Sequence, residues 1–172
     1  MKNIKLLILD CDGVFSDGKI MYDNHRVETK AFSAKDGLGI KILSFTDVKL
    51  AIITGRKSNI LEQRCEDLGI KYLFQNIKNK VKVTKKLLAE LGLDWENVAY
   101  LGDDWNDYPV IKKVGFSGTP NDAFDLFKEK VDFVCQRNGG EGVVREFIIH
   151  ILTEQGIYEE TVEKLVKYLE NV

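Results

Sequence analysis

The sequence predicts an α/β fold, a doubly wound and mostly parallel sheet with helices on both faces. Three observations carry that prediction. Short apolar runs alternate with amphipathic segments of helical length, glycines stand where runs and helices stop, and several runs end in polar or acidic residues.

The first run, "LLILDCDGVFSDG", sets the pattern. Leu6 to Leu9 is a continuous apolar stretch of the kind buried on both faces of a parallel sheet. It ends in two carboxylates, Asp10 and Asp12, with Gly13 able to turn the backbone sharply. Side chains alternate along a strand, so Asp10 and Asp12 share one side while Cys11 turns away. Ligands of open α/β sheets bind at the carboxyl ends of the strands. Two like charges held there repel unless a cation lies between them or one carries a proton; a pair of ordinary turn aspartates is the plain alternative.

The next segment, "DGKIMYDNHRVETKAF", breaks the rhythm. It alternates in character and turns at Asp23-Asn24, as a β-hairpin does, over about residues 18–33. Directly after Asp12, it is placed either to project over the strand ends as a flap or to be a surface hairpin. "KDGLGIKILSF" then reads as a helix. "KLAIITG", Lys49 to Gly55, is the second strand, and "SNILEQRCEDLG" a helix with Ser58 as N-cap and Gly69 as its stop. "IKYLFQN" is the third strand, followed by the amphipathic helix "NKVKVTKKLLAELG", which ends at Gly92. "NVAYLGDD" is a fourth strand that again ends in acid. "VGFSG" and "VDFVC" are short later strands, and "GVVREFIIHILTEQG" and "YEETVEKLVKYLENV" are helices. With no repeat, low-complexity segment or Pro-rich linker, residues 1–172 read as one domain with a helical tail over about 157–172.

Composition narrows the function. The chain has 172 residues, 44% hydrophobic and 30% charged, the balance of an ordinary soluble domain. A formal net charge of -2 leaves no basic footprint for nucleic acid. No apolar run reaches membrane-spanning length, and "MKNIKLLILDCDG" is too short and acidic for a signal peptide. Cys11, Cys65 and Cys135 are far apart and odd in number, which suits reduced, buried thiols in the cytoplasm and not a zinc site. His25 falls near the hairpin tip and His150 in the late apolar helix, so the first reads as solvated and the second as packed.

The polar residues at the strand ends form a series: Asp10 and Asp12, then Thr54, then Lys80 entering a helix, then Asp103, Asp104 and Asp107 in "LGDDWND". Singly, Thr54 reads as a helix cap, Lys80 as a surface lysine and "GDDWND" as an acidic turn. Packing does not explain them together and in this order.

The order D-x-D-G, Thr-Gly, Lys and G-D-D-x-x-D resembles the haloacid dehalogenase-like phosphohydrolases over almost the whole chain. More narrowly, "DCDGVFSDG", "ITGRKS", "GDDWNDYPV" and "RNGGEGVVRE" resemble the 3-deoxy-D-manno-octulosonate 8-phosphate (KDO 8-phosphate) phosphatases, small capless members of that superfamily. The resemblance implies a Rossmann-like sheet, an Mg²⁺ cofactor and hydrolysis of a sugar-acid phosphate through an aspartyl-phosphate. It implies Asp10 as nucleophile and Asp12 as general acid and base, a role that calls for a carboxyl able to hold a proton beside another anion. It implies Asp10, Asp103 and the Asp12 carbonyl as metal ligands, Thr54 and Lys80 on the transferring phosphoryl group, and Asp104 and Asp107 as supports for waters or for Lys80.

Charge explains why such a set is needed. A carboxylate approaching a phosphate dianion at about 4 Å, with an effective dielectric near 20, faces roughly 8 kcal/mol of repulsion. That is about six decades of rate, and a divalent cation and a lysine can remove it.

Spacing bears on access to the site. The stretch from Asp12 to Thr54 is filled by the hairpin and a helix, and that from Thr54 to Lys80 by a helix and a strand, so neither holds a cap domain. The resemblance implies a homotetramer instead, in which hairpins assemble and a neighbour's C-terminal segment covers each site. Ile20, Tyr22, Val27 and Phe32 would then be interface. A sugar acid also needs a cation for its carboxylate. Arg56, directly after Thr54-Gly55, is the first candidate and Arg64 the second, with ordinary surface arginines as the alternative. "QRNGGEGVVRE" reads equally as a flexible turn before a helix.

Two other readings compete. A nine-carbon sugar-acid 9-phosphate (KDN or N-acetylneuraminate 9-phosphate) phosphatase shares the chemistry, although those relatives tend to carry glutamate where Arg56 stands. A phosphorelay receiver or non-catalytic regulatory module shares the doubly wound sheet. A receiver has adjacent acids after strand one and an aspartate after strand three; here the pair is spaced D-x-D and strand three ends in "FQN".

Overall fold

The computed structural model describes residues 3–171. Strand β1 (Leu6–Leu9) is followed by a hairpin of β2 (Met21–Tyr22) and β3 (Glu28–Thr29). Helix α1 (Ala34–Leu43), β4 (Lys49–Ile53), α2 (Asn59–Asp67), β5 (Tyr72–Phe74), α3 (Lys80–Leu91) and β6 (Val98–Leu101) come next. The chain ends with α4 (Tyr108–Ile111), β7 (Phe116–Thr119), α5 (Asp125–Lys128), β8 (Phe133–Val134), α6 (Val143–Glu154) and α7 (Tyr158–Leu169).

Six strands form one parallel sheet in the order β5-β4-β1-β6-β7-β8. The chain lays down β4 and β5 on one side of β1, then returns to place β6, β7 and β8 on the other. Leu6–Leu9 is therefore paired on both sides, with Lys49–Ile52 and with Val98–Leu101. That change of direction opens a crevice at the carboxyl ends of β4, β1 and β6.

The alternation of β1 divides the core. Leu6 and Ile8 pack with Leu87 and Leu88 of α3, Val110 and Ile111 of α4 and Phe127 of α5. Leu7 and Leu9 pack on the other face with Ile40 of α1, Leu61 of α2, Phe147 of α6 and Leu165 of α7. Cys11 belongs to this second group, so it does turn away from Asp10. The sheet is covered by helices on both faces.

Local details differ from the sequence reading where tertiary contacts intervene. The hairpin does not turn on two residues: Asp23 N–H donates to Val27 O, and Arg26 sits at φ 63 in the left-handed region. The Asp23 carboxylate accepts from the N–H groups of His25 and Val27, closing a three-residue loop. Ser58 begins α2 without capping it, because its hydroxyl donates to Glu28 Oε2 at 2.7 Å. The four-residue helices α4 and α5 and a 3-10 turn at Trp95–Asn97 are too short to show a helical period in sequence.

Two surface segments make contacts within the chain. Phe32, read from the sequence as interface, is partly buried within the chain, its ring 5.0 Å from that of Phe15 against the core. Residues 158–169, in the helical tail, form α7 on the chain's own α1 and α6, with the Lys41 ammonium 4.3 Å from the Tyr168 ring centroid. His150 packs as expected, stacked 4.0 Å from Phe133.

"RNGGEG" is no flexible turn. Gly140 N–H donates to Val14 O at 2.9 Å, and any side chain at Gly140, which sits at φ 69, would strike the backbone of Asp17. The Glu146 carboxylate accepts from the N–H groups of Gln136 and Arg137, and the buried Asp36 from those of Gly142 and Arg145. Asp36 so provides from α1 the cap that Gly142 cannot give α6. This brace backs the loop that follows β1.

Candidate active site

The loop after β1 begins with Asp10, which is buried. Its Oδ1 accepts from the N–H of Cys11 at 2.7 Å. Lys80 opens α3, at the positive end of that helix, where a cation is unfavourable unless anions meet it. Two do: Nζ lies 2.9 Å from Asp10 Oδ1 and 2.6 Å from Asp107 Oδ1. Asp107 also accepts from the Tyr100 hydroxyl at 2.6 Å and, through Oδ2, from the N–H of Asp103 at 3.1 Å. Gly13, at φ 85, passes so close to the Asp103 carboxylate that any side chain there would collide with it.

These groups strain one another's ionisation. Burial, then the charge of Asp107, pushes the Asp10 carboxyl up to about 7 against the pull of Lys80. Burial, then Asp10, Asp107 and Asp104, pushes Asp103 up to about 8. For Lys80, burial alone would lower the ammonium, but Asp107 and Asp10 outweigh it and hold it above its ordinary value.

Oxygen atoms of Asp10, Asp103 and Asp107 lie within 4.8 Å of one another. An all-oxygen donor set with excess negative charge fits a hard divalent cation, and the raised carboxyls of Asp10 and Asp103 are what such a cluster suffers without one. Asp107 is already committed to Lys80, Tyr100 and the Asp103 backbone, which leaves Asp10 and Asp103 as the freer carboxylates.

A cleft of about 420 Å³ opens above this cluster. It is lined by Asp10, Asp12, Thr54, Gly55, Arg56, Asp103 and Asp104, so the residues picked at three separate strand ends meet in one place. Lys80 and Asp107 lie beneath it. Asp104 is exposed and turns its carboxylate to the N–H of Trp105 at 2.7 Å. A larger cavity of about 680 Å³ sits at the opposite ends of β1 and β4, beside Ile4 and Val48, away from this chemistry.

The two arginines separate. Arg56 lines the cleft, where Nη2 donates to Glu28 Oε1 at 2.8 Å and to the Tyr22 hydroxyl at 2.9 Å, while Nη1 is buried without a hydrogen bond among the described residues. Arg64 does not line it; its guanidinium lies over the Phe32 ring, with Nη2 3.5 Å from Ser33 O.

Glu28 and Lys30 were not picked from the sequence, and Tyr22 was read there only as interface. Glu28 and Tyr22 hold Arg56 from the hairpin, and Lys30 forms an ion pair with Asp12. A hairpin's alternation can hint that Glu28 and Lys30 share a face, but only the fold shows what that face meets.

A family model of haloacid dehalogenase-like hydrolases matches residues 73–147. The chain is 46% identical over 159 residues to the 3-deoxy-D-manno-octulosonate 8-phosphate phosphatase KdsC of Escherichia coli, covering 92% of this chain and 85% of that protein. It superposes on the 3-deoxy-D-manno-octulosonate 8-phosphate phosphatase of Yersinia pestis with a TM-score of 0.89 at 45% identity, over 92% of this chain and 85% of that one. The phosphatase of the same name from Moraxella catarrhalis, solved with magnesium, phosphate and KDO, superposes with a TM-score of 0.91 at 35% identity, over 95% and 94% of the two chains. With identity of this order along nearly its whole length, the chain belongs to the haloacid dehalogenase-like hydrolases, in the family of 3-deoxy-D-manno-octulosonate 8-phosphate phosphatases.

Proposed function

We propose that this protein hydrolyses 3-deoxy-D-manno-octulosonate 8-phosphate to KDO and phosphate, with Mg²⁺, through an aspartyl-phosphate on Asp10. The observation that carries the reading is the cleft floor, where Asp10 is held through Oδ1 by Lys80 and the Cys11 N–H and flanked by Asp12, Thr54 and Asp103. Asp10 and Asp103, with the Asp12 backbone carbonyl, would hold the Mg²⁺, whose charge offsets the repulsion between a carboxylate nucleophile and a phosphate dianion.

With Oδ1 held, Asp10 presents Oδ2 to phosphorus. A new P–O bond forms to Asp10 as the bond to the sugar oxygen breaks, and Asp12 gives that oxygen a proton. Asp12 then takes a proton from water as the water oxygen attacks phosphorus. The P–O bond to Asp10 breaks, and the carboxylate is restored. Thr54 hydrogen-bonds the phosphoryl oxygens in both steps, and the Lys80 ammonium lowers the charge they meet. Asp107 keeps Lys80 in place.

Arg56 is our choice for the substrate carboxylate, because Glu28 and Tyr22 fix one side of its guanidinium and Nη1 has no partner among the described residues. We place the reaction in the cytoplasm on the three unpaired, buried cysteines. Among the described residues no helix is long and apolar enough to cross a membrane. For assembly we favour a homotetramer built on the hairpins, where Ile20, Tyr22 and Val27 are 55%, 60% and 58% exposed.

The test is phosphate release from the eight-carbon 8-phosphate and the nine-carbon 9-phosphates, with Mg²⁺ and with excess chelator. The proposal expects Mg²⁺-dependent turnover with the higher kcat/KM on the eight-carbon ester. Preference for a nine-carbon ester, or full activity in chelator, would refute it.

A further inference from the structure

The hairpin does more than present an apolar edge. Glu28 and Lys30 lie two residues apart, on one face of β3 and its continuation, while Thr29 between them is exposed. Glu28 binds Arg56 and Ser58. The Lys30 side chain is only 3% exposed, and its ammonium forms an ion pair with Asp12 Oδ1. Burying an ammonium costs several kcal/mol unless an anion meets it, so this contact constrains both partners. Lys30 does not line the cleft, whereas Asp12 does. The lysine therefore grips the carboxylate from the hairpin side.

We propose that Lys30 is a positioning residue for Asp12: it holds Oδ1 from behind so that Oδ2 meets the ester oxygen and, later, the attacking water. The inference rests on the reading of Asp12 as the group that moves the proton. No atom is transferred to or from Lys30. Its role is to fix one rotamer of a side chain that stands on a turn beside Gly13, where the backbone alone allows several. Proton transfer in the cleft is thereby tied to the seating of the hairpin, the element we place at the subunit interface.

Leaving-group chemistry separates this from a merely structural role. An alkyl phosphate needs a proton on its departing oxygen; p-nitrophenolate departs without one. The value of kcat/KM reports phosphoryl transfer to Asp10, whereas kcat also includes the water step, which needs Asp12 for every ester. Three esters are compared: the sugar-acid phosphate, an alkyl phosphate with no carboxylate, and p-nitrophenyl phosphate. Lys30→Met is expected to lower kcat/KM on both alkyl esters by about 10²-fold and on the aryl ester by less than about threefold, with kcat and KM falling together on the aryl ester. In an Asp12→Asn background, Lys30→Met is expected to cost nothing further. Equal loss of kcat/KM on all three esters, no loss at all, or a full additional loss on top of Asp12→Asn would overturn the proposal.

Lys30→Arg keeps the charge and serves if Lys30→Met does not fold. A smaller loss still confined to the alkyl esters supports the role, and uniform kinetics overturn it. A wild-type protein that turned over none of the three esters would instead refute the phosphatase reading, and this inference with it.

Discussion

Lys80 Nζ lies 2.9 Å from Asp10 Oδ1, with both side chains almost wholly buried. The ammonium is shared with Asp107, so one cation serves two carboxylates beneath the cleft. Lys80→Met would leave both without it. The variant should lose about 3–5 kcal/mol of stability in urea unfolding without metal. It should also lose about 10²–10³-fold in kcat/KM. Unchanged stability would mean that the pair is not held as described.

Proton and metal should compete for the cluster. The ordinary carboxyl value is 3.8, and Asp10 and Asp103 stand at about 7 and about 8 in the metal-free fold. Above about pH 4 the unfolded carboxyls have lost protons that the folded ones keep. The contribution of this pair to stability without metal should therefore be greatest below that point and fall as pH rises toward about 8. Mg²⁺ binds the deprotonated pair, so the rise in Tm on adding Mg²⁺ should grow from about pH 6 to about pH 8. Thermal unfolding with and without Mg²⁺ at both values checks this. An equal rise at both would contradict the assignment of these two carboxylates as ligands.

Much of this was legible in the sequence, for a physical reason. Leu6–Leu9 is buried on both faces, so its apolar run admits few other readings, and a polar residue at the end of such a run is conspicuous. Asp10, Asp12, Thr54 and Asp103 could be picked because each closes a strand of that kind. Lys30 and Glu28 could not, since β2 and β3 are two residues each and largely exposed. Their partners, Asp12 and Arg56, are found only once the hairpin folds back. Asp36 was hidden in the same way, reading as one more charge in a helix until α1 and α6 met. Arg64, the second candidate by its place two turns beyond Arg56, lies over Phe32 and outside the cleft of the single chain, a position that only the packing of α2 fixes.

Arg56→Ala should raise KM for the sugar-acid phosphate by about tenfold or more while leaving p-nitrophenyl phosphate within about twofold, since one charge-assisted hydrogen bond is worth roughly 1.5–3 kcal/mol. Its mass in solution should not change. An equal effect on both substrates would assign Arg56 to holding the hairpin through Glu28 and Tyr22 rather than to the substrate.

Ile20→Asp places a charge on an apolar residue that is 55% exposed in the single chain. If the hairpins assemble, burying that charge costs several kcal/mol, and light scattering should show smaller species. Efficiency on the sugar acid should fall further than on p-nitrophenyl phosphate. A wild-type protein that scatters as a monomer and still prefers the sugar acid would show that each site works alone.

The central claim is that Asp10 carries the phosphoryl group. It is tested by acid quench of a single turnover with phosphate-labelled substrate, using the wild type, Asp10→Asn and Asp12→Asn, followed by peptide mapping. The account predicts label on the peptide that contains Asp10, more of it in Asp12→Asn because the water step is slowed, and none in Asp10→Asn, which should also release no phosphate. Turnover by Asp10→Asn, or label on any other residue, would contradict it.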